Sequence, residues 1–231
     1  IGCVALYDAW NYLQNTTMYL PKHFEQTDLE ALYALIEHSP FGILVTASPD
    51  GIEANHLPFE LDRSQGTHGS LLCHVARSNP VWQHAPSLTT DSLVIFQGPS
   101  AYISPSLYAS KQETHMVVPT YNYAAVHVSG QVTVHDDVRW VRGLVSRLTG
   151  KFEKQREVPW KMGDAPASYI DERLSHIVGL EIRISHLAGK WKLNQNRSEA
   201  DRRSVIAGLN TGNADEKAVA QLMVRQPNSR K

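Results

Sequence analysis

The stretch VVPTYNYAAVHVSGQVTV, residues 117–134, constrains the fold more than any other part of the chain. Its apolar and aromatic positions 121, 123, 126, 128, 132 and 134 mostly sit two apart. That is the period of a strand with one buried face. Further β-rich runs surround it. Residues 41–48 and 52–61 flank Pro49-Asp50-Gly51, the composition of a hairpin turn. Residues 69–77 form a third run, and 93–97, resuming at 101–103, a fourth. In the last, 177–184, Val178, Leu180, Ile182 and Ile184 alternate with Gly179, Glu181 and Arg183. Counting the long stretch, this predicts a mainly β fold with added helices: a six-stranded, closed antiparallel barrel. Regular strand–helix alternation is absent, which disfavours a doubly wound sheet.

Helices fill the gaps. Thr27 can accept from the amide of residue 30 while Glu30 reaches back, and Leu29, Leu32, Tyr33 and Ile36 follow at helical spacing, so 28–38 reads as a helix. Asn79 can cap a helix with Pro80 at its first position, and Ser104-Pro105 repeats that signal for a short turn. Asp136 or Asp137 caps a helix through about residue 150, with Val138, Val141, Leu144, Val145 and Leu148 on one face. Ser198 opens another, and Asp215 starts a last one. Residues 1–17 lack a basic start and contain Asp8, so they do not read as a secretory signal. They read as a leader, or alternatively a packing arm, before a domain over 18–209. The linker-like Asn210–Asn213 then leads into a helical tail, 210–231.

A net charge of −1 over 231 residues gives no whole-chain sign of a nucleic-acid surface. Two cysteines make no disulfide framework, so a reducing, cytoplasmic setting is expected. No apolar run is long enough to span a membrane. The glycine-rich phosphate fingerprints and the nucleophile elbow are missing. No histidine pair has metal-ligand spacing, so no metal site is expected.

Three polar clusters remain: Ala54–Pro58, Leu71–Trp82 and Lys190–Arg197. Each has a bland reading. His56 and His74 can be buried histidines bonded to carbonyls, Asn55 a turn former, and 190–197 a solvated loop. Arg77 is the least bland. It ends a strand where Asn79-Pro80 starts a helix, and helix amides and an arginine fork both suit a phosphate, with the Ser78 hydroxyl beside them. The alternative is an arginine paired with a carboxylate.

Taken in order, the segments MYLPKHFE (18–25), ANHLPF (54–59), HVARSNP (74–80), FQGPSAYI (96–103), VPTYNY (118–123), VHVSG (126–130), IVGLEI (177–182) and GKWKLNQNR (189–197) resemble the PaiB-type family of FMN-binding negative transcriptional regulators. The resemblance runs from Met18 to about Leu209. It implies an FMN-binding split barrel, similar to pyridoxamine phosphate oxidases, with FMN at a homodimer interface. Carried over, His74, Val75, Ala76, Arg77 and Ser78 form the phosphate-binding segment, with Arg77 on the phosphate. Asn55 and His56 line the flavin or its ribityl chain. Thr120, Tyr121 and Asn122 lie near the flavin, from the partner copy in one arrangement, and Gln195 and Arg197 close the site. This chain departs from the family pattern at Cys73, Tyr121 and Asn194, where glycine, tryptophan and serine are expected. Flavin-dependent oxidoreductase chemistry, direct DNA binding through a basic C-terminal helix pair, and haem handling stay open as activities.

Overall fold

In the computed structural model, which describes residues 18–48, 51–88 and 90–226, the long alternating stretch is one strand, Thr120–His135. Its buried positions are Asn122, Ala124, Val126, Val128 and Gly130. Tyr121 and Tyr123 therefore face the other side from Val126 and Val128, which corrects the single apolar face expected. The two tyrosines have odd numbers, and an odd offset flips a side chain across the sheet.

The strands are β1 (Glu25–Gln26), β2 (Phe41–Ser48), β3 (Gly51–Pro58), β4 (Glu60–Asp62), β5 (Ser70–Ala76), β6 (Ser92–Ile103), β7 (Thr120–His135) and β8 (Ile177–Lys192). There are eight described strands where six were expected. β1 is too short to show a period. The run 52–61 splits at Pro58, which has no amide to donate to a ladder. β6 is continuous through Gly98 and Pro99. β8 continues well beyond Ile184, because residues 188–191 are all buried and show no alternation. The start of the Lys190–Arg197 cluster is thus a strand and not a solvated loop.

The strand order is β3-β2-β6-β7-β8-β5-β4, with β1 added on β8. The hairpin β2–β3 pairs Ser48 with Gly51, and its tip, Pro49-Asp50, lies outside the described residues. So does the expected leader, 1–17.

The chain divides into two compact units. Of the described residues, one holds Tyr33–Phe96 and His127–Leu187; the other holds those up to Leu32, Gln97–Val126 and those from Ala188 on. β6, β7 and β8 each contribute residues to both.

In the first unit β5 pairs with β8 in a register that sets His74 opposite Gly179. The helix Val138–Glu153 is capped by Asp137, whose carboxylate accepts from the Trp140 amide. It packs Leu144 and Leu148 on Leu72, and Val141 on Ile170 and Leu174 of the helix Ala167–Ser175. Each of these buried leucines stabilises the unit by about 2 kcal/mol. Val138, expected on the same face, is exposed.

In the second unit Glu25 and Gln26 of β1 pair with Lys190 and Gly189 of β8. The helix Leu29–His38 begins here; its Glu30 amide donates to the Asp28 carboxylate at 3.1 Å, so Asp28 serves the acceptor role expected of Thr27. Helices Glu199–Leu209 and Ala214–Arg225 start at Ser198 and Asn213, each of which accepts an amide of the first turn. Arg202, on the first of these helices, is buried and donates to the carbonyls of Leu193, Met223 and Gln226 at 2.8 Å each. One cation of the basic C-terminal helix pair is therefore internal.

Candidate functional site

In the first unit the chain leaves β5 at Ala76 and turns at Arg77-Ser78. The Arg77 amide donates to the His176 carbonyl at 2.7 Å. Its guanidinium donates to Asp136 twice, Nη1 to Oδ2 at 2.9 Å and Nη2 to Oδ1 at 2.5 Å, while Nε donates to the Ser175 carbonyl at 2.8 Å. The Trp82 ring lies 5.8 Å from the guanidinium carbon, and the Trp82 indole donates to the Arg77 carbonyl. The carboxylate-paired reading of Arg77 is the one observed. Asp136 raises the Arg77 pKa, and Arg77 holds the Asp136 carboxyl below its usual range. Both side chains stay substantially exposed, 39% and 49%.

The helix after Pro80 is one turn, Val81–His84. Its first amide, of Val81, donates to the Asn79 side chain. A single turn carries little aligned dipole, so the helix-terminus part of the expected anion site is weak. What the turn does instead is join two clusters. Asn79 Nδ2 donates to Asn55 Oδ1 at 2.6 Å, and Asn55 Nδ2 donates to Glu53 at 3.0 Å.

His74 is half-buried, and its Nδ1 is buried without a partner. Burial lowers its pKa. Val75 is in the core, so only its backbone could meet a ligand, whereas Ala76 and Ser78 are exposed. His56 is exposed beside Phe41, not a buried histidine. Nearby, Glu181 accepts from Ser70 at 2.8 Å and pairs with His135 Nε2 at 2.9 Å, and the His135 ring stacks on Trp140.

In the second unit Thr120 and the Tyr121 carbonyl both accept from the Lys192 ammonium. Tyr121 is exposed and meets Tyr102 edge to face. Asn122 is fully buried; its Nδ2 donates to Met223 Sδ and its Oδ1 has no partner. Gln195 is buried as well. It accepts from the Leu193 amide and donates to the Trp191 carbonyl, fastening the turn after β8. Asn194 in that turn has φ 62°, a left-handed conformation that asparagine tolerates. The Arg197 guanidinium lies 5.0 Å over the Tyr108 ring. Of the five expected residues here, Asn122 and Gln195 are thus buried inside the unit.

The sequence does not show Asp136 as the partner of Arg77, nor the contacts that Asn79 and Lys192 make inside their clusters. Asp136 was assigned to helix capping, and no local pattern reports a partner so far along the chain. Among the described residues, no group of three or more His, Cys, Asp or Glu is placed to hold a metal ion. No described helix is long and apolar enough to cross a membrane.

These features define an antiparallel, helix-decorated sheet of the split-barrel class. A family model described as "Putative FMN-binding domain" matches residues 18–186. The chain is 34% identical over 207 residues to the protease synthase and sporulation protein PAI 2 of Bacillus subtilis, covering 89% of this chain and 96% of that one. Among solved structures it resembles the FAD and heme binding protein of Mycobacterium smegmatis, with TM-score 0.54, 16% identity and 80% of each chain covered. It also resembles a flavocytochrome of Azotobacter vinelandii, with TM-score 0.53, 10% identity, and 75% and 72% covered. The chain belongs to the PaiB-type FMN-binding family, and its cofactor is FMN.

The donor set fits that cofactor. An exposed arginine fork suits a phosphate, side-chain amides suit a ribityl chain, and the buried, unpartnered His74 Nδ1 is a hydrogen-bonding group still to be satisfied. Bound FMN supplies reversible one- or two-electron transfer; the protein supplies orientation and the surrounding field.

Proposed function

We propose that the flavin phosphate is held by Arg77 and Ser78, with Asn55, Asn79 and His74 along the ribityl chain and ring. The observation that carries this is the Arg77–Asp136 pair. Its two side chains are exposed, and such a pair contributes only about 0–1 kcal/mol. A phosphate dianion carries more charge and more acceptor oxygens than a carboxylate, so it can displace Asp136. A second copy of the chain completes the site with Thr120, Tyr121 and Arg197. The exposed Tyr102, Met116, Val118 and Tyr121 support such a contact. The bound flavin is redox-active, and any regulatory role acts through the flavin's state.

Titration of the flavin-free protein with FMN, followed by quenching of flavin fluorescence, tests this reading. Arg77→Ala is expected to weaken FMN at least tenfold while leaving riboflavin, which lacks the phosphate, unchanged. Equal FMN affinity in the wild type and the variant would overturn the phosphate assignment.

A further inference from the structure

Lys190 and Lys192 are two residues apart on β8, so they share a face of the sheet. Lys190 is 9% exposed. Its ammonium donates to the Tyr19 carbonyl at 2.7 Å and lies 5.4 and 5.7 Å from the ring centres of Tyr19 and Tyr123. Lys192 donates to the Thr120 hydroxyl and, at 2.8 Å, to the Tyr121 carbonyl. Every one of these oxygens is neutral. Glu25 stands opposite Lys190 in the β1–β8 register, yet neither lysine forms an ion pair with a described residue.

Two like charges side by side, one of them almost wholly removed from water, are unfavourable without a counter-charge. The repulsion registers on Lys192, whose pKa is lowered first by burial and then by Lys190. Carbonyls and tyrosine rings offset part of that cost. They leave the net charge in place. Beside the lysines, the exposed rings of Tyr121 and Tyr102 meet edge to face with centres 5.8 Å apart, an apolar surface on which a flat ring can lie.

We infer that Lys190, Lys192 and Thr120 form an oxyanion-binding site, separate from Arg77, for the phosphate or carboxylate of a planar aromatic molecule seated on Tyr121 and Tyr102. The oxyanion has two sources: the flavin's own phosphate, or an anionic substrate that meets the flavin. Only the first competes with the assignment of that phosphate to Arg77. The second rests on the FMN reading and gives the flavin a substrate class.

The test uses wild type, Lys192→Met and Lys192→Arg. Each is titrated flavin-free with FMN and with riboflavin, and FMN-loaded with phenyl phosphate by calorimetry. With a separate substrate, Lys192→Met loses at least tenfold in phenyl phosphate affinity and keeps its FMN affinity. With the flavin phosphate, it loses at least tenfold for FMN and nothing for riboflavin. Lys192→Arg retains affinity within about threefold in either case, because it keeps the charge. Changes below twofold for every probe overturn the inference. So does an equal loss of FMN and riboflavin, which would give Lys192 a supporting role only. If the wild type binds no FMN, the proposed function fails by itself, and phenyl phosphate binding to the flavin-free protein still decides the lysine site.

Discussion

Arg77 and Asp136 meet through two parallel hydrogen bonds, at 2.9 and 2.5 Å, across 59 positions of sequence. Arg77 closes β5 and Asp136 lies between the end of β7 and the capped helix Val138–Glu153, so the pair ties a strand end to a helix start. An arginine able to hold a phosphate is thereby kept oriented by a carboxylate.

Replacing that carboxylate should expose the competition. Asp136→Asn removes the charge but keeps the shape, and FMN affinity is expected to rise about two- to fivefold, the weight of an exposed ion pair. Flavin fluorescence quenching measures it. An Asp136→Asn protein that binds FMN more weakly than wild type would show that Asp136 supports the site.

His74 gives the fold a dependence on pH. Its folded pKa is lowered by burial, so between that value and the unfolded pKa of about 6.5 the unfolded chain binds the extra proton. Stability conferred by neutral His74 is present above about pH 6.5 and declines as pH falls towards the folded value. Urea denaturation at a series of pH values should show this decline, and His74→Gln should flatten it. An identical pH profile in the variant would assign the loss to other groups.

Arg202 fastens the C-terminal helix pair from inside. Its guanidinium serves three carbonyls, and Arg202→Met leaves them without that donor. A loss of about 3 kcal/mol is expected. Chemical denaturation reads this directly, and a change below about 1 kcal/mol would mean that water replaces the arginine.

Gly179 leaves room for Trp140. A methyl group at 179 would collide with the Trp140 ring, which itself stacks on His135 with centres 4.1 Å apart. Gly179→Ala should therefore destabilise the first unit by about 1–3 kcal/mol and shift the tryptophan emission. Unchanged emission would place the adjustment in the backbone.

The sequence by itself determined most of the elements. Period-two runs located β2, β3, β5 and the cores of β6, β7 and β8, and Asp137 and Ser198 marked helix starts, because these signals depend on neighbours within a few residues. Spaced motifs were enough to identify the family and its cofactor. The tertiary structure decided what each polar side chain touches. The choice between a phosphate and a carboxylate for Arg77 depended on where Asp136 lands, and nothing near residue 77 encodes that. Asn122 and Gln195 proved to be internal because the second unit packs helices and turns against them. Lys190 and Lys192, for which a solvated loop was one reading of the sequence, became a paired charge because β8 continues through them. Strand and helix periods are local and survive in the chain as patterns. The partner of a charge is set by chain crossings that no period records.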